Sequence, residues 1–277
     1  MKIALCQILS TANPQDNIEI VKNYAREAAA NGAEIIVFPE ATQRAFGTGR
    51  MDETAEPIGG PSDEAVTNLA QDLNVTIVVG TFRPADKKDG YQRFYNTALV
   101  RGTQKGPDKG PDKGPQNTHY DKIHLYDAFG YKESKTVAPG NQLVTFQQGG
   151  ITFGLAICYD IRFPEQFKQL ATKGAEVILV PTSWAEGPEK LRMWRTLTSA
   201  RALDSTCFIL AAGQALPPDA AERKGPTGAG HSVAVHPNGA IITEAGEDPE
   251  IIYADIDSDE VATMRRELPV LAGTVQL

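Results

Sequence analysis

The stretch that decides the fold class is ITFGLAICYDIRFPEQFKQLATKGAEVILV, residues 151–180. Residues 151–158 form an apolar run typical of a buried strand, and residues 164–173 are predicted as a helix that begins at Pro164. Residues 176–180 are predicted as a second strand. A strand, a helix and a strand in succession favour an α/β protein, in which helices cover the faces of a sheet.

The same alternation extends through the rest of the chain. Asn13 is predicted to cap a helix with apolar residues at helical spacing, and a strand over 34–38 follows it. Residues 94–100 and 116–125 are predicted to pair as a hairpin, which favours mixed sheets over purely parallel ones. With no linker in the middle of the chain, we expect one domain over residues 1–277. The other predicted strands are 3–9, 75–82, 207–212, 232–235, 240–243 and 251–256, and the other predicted helices are 62–74, 188–204 and 258–267.

Composition and charge exclude several classes of protein. The 27 basic and 35 acidic residues give a net charge of −8, which argues against nucleic-acid binding because polyphosphate demands a basic surface. No stretch approaches the roughly 20 apolar residues of a membrane span. The widely spaced Cys6, Cys158 and Cys207 exclude a disulfide framework and a cysteine-rich zinc site. The N-terminus is typical of a strand and not of a signal peptide, so we expect a cytoplasmic protein.

A tandem Gly-Pro-Asp-Lys repeat lies between the two strands of the predicted hairpin. Proline lacks the amide proton that a sheet needs and glycine is flexible, so residues 102–118 are predicted to form a flexible, solvated loop. Because this loop lies just before Lys122, it could alter access to a site there.

Three residues with complementary chemistry occupy similar places beside predicted strands. Glu40 follows the strand 34–38, Cys158 ends the strand 151–158, and Lys122 lies in the extended stretch 120–125. Sites in open α/β sheets gather at the carboxyl ends of strands, where loops aim side chains into a crevice. Each residue alone also has a structural interpretation, as a core cysteine, a capping or ion-paired glutamate and a solvated lysine.

A carboxylate, an ammonium and a thiol together suit the hydrolysis of an amide. Glu40 can accept the thiol proton of Cys158, and Lys122 can favour the thiolate. Lys122 and the backbone N–H of Tyr159 could hold the oxyanion that forms when the sulfur attacks the carbonyl carbon. Collapse releases ammonia or an amine and leaves a thioester, which water hydrolyses with Glu40 as base. These groups suffice for hydrolysis, so no metal and no cofactor are implied.

Three motifs in register resemble the nitrilase (carbon–nitrogen hydrolase) superfamily over essentially the whole chain. They are VFPEA at 37–41, YDKIHL at 120–125 and GLAICYDIRFPE at 154–165. The resemblance implies a four-layer αββα sandwich of two mixed β-sheets with outer helices. It also implies a Glu40–Lys122–Cys158 triad, a homodimer, and a second glutamate, Glu133, that orients Lys122 and a reacting group.

Within that superfamily the sequence is most similar to the Nit branch. The segments that carry this likeness are 123–129, 158–165, 184–188 and 201–207. The branch implies an amidase that hydrolyses a linear side-chain amide, not a peptide bond, to a carboxylate and ammonia. The implied substrate is a small amide that carries a carboxylate, with deaminated glutathione favoured.

The likeness to the Nit branch also implies substrate-binding residues. Arg162 would bind the substrate carboxylate, and a planar guanidinium suits that role because it can donate two parallel hydrogen bonds. Tyr159 and Trp184 would complete the substrate pocket. Arg162 could instead form an ion pair with Glu165, and Trp184 could be a core residue.

Other functions stay open at this point. An ω-amidase acting on α-ketoglutaramate or α-ketosuccinamate, or another amidase of the superfamily, would use the same triad. A Cys–His hydrolase would pair Cys158 with one of the histidines at 119, 124, 231 and 236, which leaves Glu40 and Lys122 unexplained. A metal amidohydrolase would need an HxH or HExxH pattern that the sequence lacks. In a non-catalytic interaction module, Cys158 would be no more reactive than Cys6.

Overall fold

Two six-stranded β-sheets and five α-helices make up the fold in the computed structural model, which describes residues 1–102, 117–128, 130–222 and 225–273. No helix within these ranges is long and apolar enough to span a membrane. Most of the predicted repeat loop, 103–116, lies outside the described residues. The expectation of a single domain stays a prediction.

The bounds of the elements are as follows. The strands are β1 (Lys2–Gln7), β2 (Ile35–Val37), β3 (Thr76–Lys88), β4 (Tyr91–Arg101), β5 (Thr118–Asp121), β6 (Asp127–Ala128), β7 (Tyr131–Lys132), β8 (Thr145–Gln148), β9 (Ile151–Leu155), β10 (Val177–Leu179), β11 (Phe208–Ala211), β12 (Val233–Val235), β13 (Ile241–Glu244) and β14 (Glu250–Asp255). The helices are α1 (Pro14–Ala30), α2 (Pro61–Leu73), α3 (Pro164–Thr172), α4 (Lys190–Ser205) and α5 (Ser258–Glu267).

Both large sheets are mixed, as predicted, and each is built around three parallel strands. The first has the order β14-β1-β2-β3-β4-β5, in which β1, β2 and β3 are parallel and the other three strands are antiparallel to their neighbours. The second has the order β13-β12-β11-β10-β9-β8, with β9, β10 and β11 parallel. The short strands β6 and β7 form a separate pair.

The alternation of side chains along β1 shows how the layers are stacked. Ile3 and Leu5 pack into one core with Leu155 of the second sheet, so the two sheets face each other. Ala4 and Cys6 point the other way and pack with α1 and α2. Successive side chains of a strand face opposite sides of its sheet, so β1 is buried on both faces. Since α3 and α4 pack on the second sheet in the same way, the predicted four-layer αββα sandwich is confirmed.

Several predicted boundaries are wrong by a few residues. The strand predicted over 151–158 ends at Leu155, so Cys158 does not end it but begins a 3-10 segment, Cys158–Arg162. The helix predicted from residue 188 begins at Lys190. The last helix is capped by the side chain of Asp257, which accepts a hydrogen bond from the backbone of Asp259, and not by Ser258.

The sequence reading also missed a long hairpin between β3 and β4. The predicted partner of residues 94–100 was the strand that begins near 116, and β4 does pair with β5, but its other edge pairs with β3. The two strands turn at Asp89 and Gly90, whose φ angles of +49° and +81° are left-handed. An Asp-Gly pair is a strong signal for such a turn because both central residues must take positive φ.

One glycine of β3 lies directly beneath the turn that carries Glu40. The N–H of Gly80 donates to Pro39 O at 3.1 Å, and Gln43 N donates to Gly80 O at 3.1 Å. A Cβ on Gly80 would lie 2.4 Å from Pro39 O and 2.7 Å from the Cα of Glu40, which is closer than non-bonded atoms approach. Glycine at this position therefore allows the turn to rest on the sheet.

We expect Gly80→Ala to lower the free energy of unfolding by about 1–3 kcal/mol, the usual cost of overpacking, and to displace Glu40. Urea unfolding and the rate of amide hydrolysis measure the two effects. Gly246→Ala is the matched control, because its added Cβ would lie 3.6 Å from Glu250 Oε1, an ordinary van der Waals contact. Equal stability and activity in both variants would show that the turn does not depend on this close approach.

Candidate active site

Lys122, Glu40 and Glu133 form a buried ionic cluster between the sheets. The ammonium Nζ of Lys122 lies 3.1 Å from Glu40 Oε1, and 3.0 and 3.1 Å from the two carboxylate oxygens of Glu133. The three residues are 3%, 1% and 4% exposed. A charge in so dry a place needs a hydrogen-bonded counter-charge, and here one ammonium serves two carboxylates.

Glu40 is fixed in the turn that follows β2. Its Oε1 accepts a second hydrogen bond from Asn96 Nδ2 at 2.7 Å, and its Oε2 accepts from the backbone N–H of Ser183 at 2.9 Å. Its carbonyl oxygen accepts from Gln214 Nε2 at 3.0 Å. Asn96 belongs to the first sheet, whereas Ser183 and Gln214 follow β10 and β11 of the second. Both sheets therefore hold this carboxylate in place.

Lys122 and Glu133 are held by backbone hydrogen bonds on the far side of the cluster. Lys122 follows β5 directly, and its N–H donates to Asn96 O at 2.9 Å. Glu133 begins a short 3-10 segment, and its Oε2 also accepts from the backbone N–H of Tyr126 at 2.6 Å. The predicted role of Glu133 in orienting Lys122 fits these contacts.

Cys158 has a backbone conformation that is unusual for a residue with a side chain. Its φ is +44°, in the left-handed region, and its N–H donates to Pro181 O at 3.0 Å. The thiol Sγ lies 3.7 Å from Ser183 O, and it lies near enough to Glu40 for that carboxylate to raise its pKa. Backbone strain of this kind persists only where the surroundings impose it, and it is frequent at active sites.

Asp160 ties the Cys158 segment to the Lys122 segment. Its Oδ2 accepts from the N–H of Ile157 at 2.9 Å and from Tyr120 Oη at 2.7 Å. Its Oδ1 accepts from the N–H of His124 at 2.9 Å, and His124 Nδ1 also lies 2.9 Å away. Because Asp160 is fully buried, each of these bonds would be costly to break. The carboxylate thus links the residue before Cys158 to residues on both sides of Lys122.

Burial controls the ionisation of the cluster. Burial raises the pKa of the Cys158 thiol and the charge of Glu40 raises it further, and together they outweigh the opposite effect of Lys122, so the pKa lies well above its usual range. Burial lowers the pKa of Lys122, but the charges of Glu133 and Glu40 reverse this and hold it well above the usual range. The raised pKa therefore favours the thiol form of Cys158, and the nearby Glu40 carboxylate can take its proton.

The cluster lies at the base of a cavity of about 480 Å³, including space open to solvent. We call it the Cys158 cavity, and its walls include Phe46, Tyr126, Tyr159, Arg162, Trp184 and Lys190. Every residue predicted for the site, catalytic or substrate-binding, lines it. The structure thus brings all seven together.

Arg162 is held by aromatic rings and not by Glu165. Its guanidinium carbon lies 5.3 Å from the centre of the Trp184 ring and 6.0 Å from that of Tyr159. Its Nη2 lies 3.8 Å from the sulfur of Met193. Among the described residues no ion pair between Arg162 and Glu165 is found. Flat rings support a guanidinium while leaving its N–H groups able to bind an anion.

A second chamber adjoins the Cys158 cavity. It occupies about 1200 Å³, including open solvent, and shares Phe46, Glu133 and Pro226 with the Cys158 cavity. Tyr91 at the tip of the β3–β4 hairpin and Arg50 line its far side. We call it the hairpin chamber.

Three of the four histidines lie against a carboxylate. His124 Nδ1 lies against Asp160, His231 Nδ1 is 3.0 Å from Glu244, and His236 Nε2 is 3.1 Å from Glu260. His119 lies within β5 and pairs with Leu99 of β4. The groups that act on the ionisation of Cys158 are Glu40, Lys122 and the backbone of Ser183, and none is a histidine. The geometry therefore does not support a Cys–His hydrolase.

The other two cysteines are core residues, as predicted. Cys6 and Cys207 are fully buried, and burial raises the pKa of Cys207 to about 11 and that of Cys6 well above its usual range. Neither lines the Cys158 cavity.

Sequence reasoning missed several residues of the site, four of which matter most here. Asn96 and Ser183 hold Glu40, while Phe46 and Lys190 line the cavity. Asn96 offered a signal, since it is an amide within a predicted buried strand. Ser183 acts through its backbone N–H. Every residue except proline has this group, so the sequence gives no signal for it.

Comparison with known proteins agrees with this geometry. The sequence model of the carbon–nitrogen hydrolase family matches residues 2–266. A hydrolase of Mycobacterium tuberculosis, Rv0480c, is 44% identical over 276 residues, which cover 98% of this chain and 94% of that protein. Human omega-amidase NIT2 is 30% identical over 276 residues, covering 97% of this chain and 93% of its own.

A solved structure shows the same fold. The crystal structure of Saccharomyces cerevisiae Nit3, a member of branch 10 of the nitrilase superfamily, aligns with a TM-score of 0.79 and 26% identity. The alignment covers 98% of this chain and 94% of Nit3. With the family match over nearly the whole length, these likenesses show that the chain belongs to the carbon–nitrogen hydrolase family, as its three motifs predicted.

Proposed function

We propose that this chain is an amidase in which Cys158 is the nucleophile, Glu40 the general base and acid, and Lys122 an electrostatic stabiliser. The observation that carries the proposal is the Lys122 ammonium, which bridges Glu40 and Glu133 at the base of the cavity that holds the Cys158 thiol. The amidase class itself agrees with the family and with the omega-amidase relatives.

The first half of the reaction forms a thioester. Glu40 takes the thiol proton as Sγ of Cys158 bonds to the amide carbon, and the carbonyl oxygen becomes an oxyanion. Lys122 Nζ and the backbone N–H of Tyr159 are the donors that we assign to this oxyanion. When the C–N bond breaks, Glu40 returns the proton to the leaving nitrogen, which departs as ammonia or an amine.

The second half of the reaction releases the acid. Glu40 takes a proton from water, the water oxygen bonds to the thioester carbon, and the C–S bond breaks. The proton returns to Sγ, so the enzyme regains its thiol. The product is a carboxylic acid, which loses its remaining proton to solvent and leaves as a carboxylate. Since the pKa of Cys158 is raised, proton transfer to Glu40 accompanies attack, and no stable thiolate is needed beforehand.

Glu133 acts on Lys122 and adds negative charge near the leaving group. Its two oxygens fix the ammonium from the side opposite Glu40. Because a buried ammonium between two carboxylates keeps its proton, Lys122 serves as a fixed positive charge and not as a base.

For the substrate we propose deaminated glutathione, with Arg162 binding its α-keto carboxylate. In this compound the scissile amide joins the keto acid to cysteinylglycine, so the leaving group is an amine. The release of ammonia expected from the sequence therefore applies only to a primary amide substrate. The hairpin chamber supports this choice because it adjoins the Cys158 cavity at Phe46, Glu133 and Pro226 and offers room for a large leaving group.

An ω-amidase that acts on α-ketoglutaramate is the second candidate, and the likeness to human omega-amidase NIT2 favours it. Both substrates contain the same acyl group, so Arg162 would have the same role in each. A homodimer and a cytoplasmic location also stay predictions.

Replacing the proposed nucleophile should abolish hydrolysis. We expect Cys158→Ala and Cys158→Ser to lower kcat/KM on the order of 10⁴-fold or more, because the covalent route is lost. Cys6→Ala and Cys207→Ala are the matched controls, since each removes a buried thiol outside the cavity. Released amine measures the rate, and intact-mass analysis of quenched wild-type enzyme should show an acyl adduct. Undiminished C–N cleavage in Cys158→Ala would overturn the mechanism.

The stability of a Glu133 variant should depend on pH. Burial raises the pKa of Glu133, with a further rise from Glu40, and the opposing effect of Lys122 is smaller. The unfolded chain therefore loses this proton at lower pH than the folded chain, and wild-type stability falls as pH rises through the raised pKa. Gln has no such proton. Relative to wild type, Glu133→Gln should thus gain stability in urea unfolding as the pH rises above the ordinary glutamate pKa of about 4.3.

The control for the pH series is Glu247→Gln, since Glu247 is exposed and lies outside the site. The difference in unfolding free energy between Glu247→Gln and wild type should not change with pH. A flat difference for Glu133→Gln as well would mean that the raised pKa is wrong.

A substrate panel tests the two candidate functions directly. Deaminated glutathione and α-ketoglutaramate give the same keto acid, so one enzymatic assay of α-ketoglutarate compares them without a change of readout. We expect kcat/KM to be highest for deaminated glutathione, and a carbamoyl amino acid to be left intact. A preference for α-ketoglutaramate would assign the second function instead.

A further inference from the structure

A second cation lies beside Arg162 on the wall of the Cys158 cavity. Lys190 is the first residue of α4, and both Arg162 and Lys190 line the cavity. The Trp184 ring connects them, since Arg162 stacks against it and the Trp184 Nε1–H donates to Lys190 O at 3.0 Å. The likeness to the Nit branch gave a role to Arg162 and to Trp184 but none to Lys190.

The loop before α4 has the backbone shape that brings Lys190 to this wall. Gly187 has a φ of +142° and Glu189 a left-handed φ of +63°, so the chain reverses sharply before the helix begins. The Glu189 carboxylate turns away to pair with Arg192. Because the contact between Trp184 and Lys190 uses a backbone oxygen, it survives any change of the Lys190 side chain.

Two cations, Arg162 and Lys190, line this wall of the cavity. The acidic residues among the lining groups, Glu40 and Glu133, are both bound to Lys122. Lys190 is half-buried, and burial lowers its pKa, with a further lowering by the nearby charge of Arg162. Two cations that disfavour each other in a half-buried wall are stabilised together when an anion binds between them.

We propose that Lys190 and Arg162 together bind the carboxylate of the substrate's acyl part, so that Lys190 determines specificity for amides of dicarboxylic acids over neutral aliphatic amides. This inference rests on the proposed amidase function. Arg162 supplies the planar, two-point contact, and Lys190 supplies a second positive charge from the side of α4. Trp184 contacts both residues and so fixes their positions on the cavity wall.

The test compares Lys190→Met, Lys190→Arg and the control Lys173→Met. Lys173 is an exposed lysine at the end of α3, so Lys173→Met removes one positive charge outside the cavity, as Lys190→Met does within it. The substrates are α-ketoglutaramate and valeramide, a neutral amide with the same number of carbon atoms. KM and kcat are measured separately for each.

We expect Lys190→Met to raise KM for α-ketoglutaramate about tenfold with kcat changed less than about twofold, as loss of one charge-assisted contact requires. Lys190→Arg should restore most of the loss, while Lys173→Met should match wild type. The ratio of kcat/KM for α-ketoglutaramate to kcat/KM for valeramide should therefore fall several-fold in Lys190→Met and stay at the wild-type value in Lys173→Met. An unchanged KM in Lys190→Met, or an equal loss on both amides, would overturn the inference.

Calorimetric binding of α-ketoglutarate, the acid product, separates this inference from the proposed function. If wild type hydrolysed no amide, the proposed function would fail, and the binding data would still decide the role of Lys190. Weaker binding by about tenfold in Lys190→Met, and not in Lys173→Met, supports the two-cation site. Equal binding in both variants would reject it.

Discussion

Lys122 carries a positive charge in an interior that is nearly closed to water, and two carboxylates share that charge. An isolated ammonium at 3% exposure would lose its proton or destabilise the fold. With Glu40 at 3.1 Å and Glu133 at 3.0 Å, it keeps its proton, and the cluster is left with an excess of one negative charge. That excess suits the reaction, because the carboxylate next to Cys158 can accept a proton while the ammonium stays in place to meet the oxyanion.

The two sheets must be packed against each other for this cluster to exist. Glu40 belongs to the first sheet, yet its Oε2 accepts a hydrogen bond from Ser183, which belongs to the second. Asp160 makes the reverse connection, because it follows Cys158 and accepts a hydrogen bond from Tyr120 of β5. The apolar contacts between the sheets therefore set the distance between base and nucleophile. In this family member, the intersheet core is as much a part of the site as the polar residues.

Much of this arrangement could be predicted from the sequence, and the reasons for the rest are physical. The alternation of apolar runs with helical segments predicted the elements. The three motifs predicted Glu40, Lys122 and Cys158, and the family resemblance that they carry implied Glu133. The β3–β4 hairpin was missed because the Asp89-Gly90 turn was not weighed, although its residue types carry a signal. The φ of +44° at Cys158 could not be predicted, since it follows from the fit of the whole segment and not from cysteine's own preference. The position of Lys190 could not be predicted either, because only the geometry of the loop before α4 brings this residue to the cavity.

The position of the two partners in the chain has a consequence for synthesis. Glu40 lies in the first strand–helix half and Cys158 in the second, and Ser183, which joins them, comes later still. The sulfur can therefore meet its proton acceptor only after the chain through Ser183 has left the ribosome. Until then Cys158 is an ordinary cysteine thiol without the carboxylate that accepts its proton.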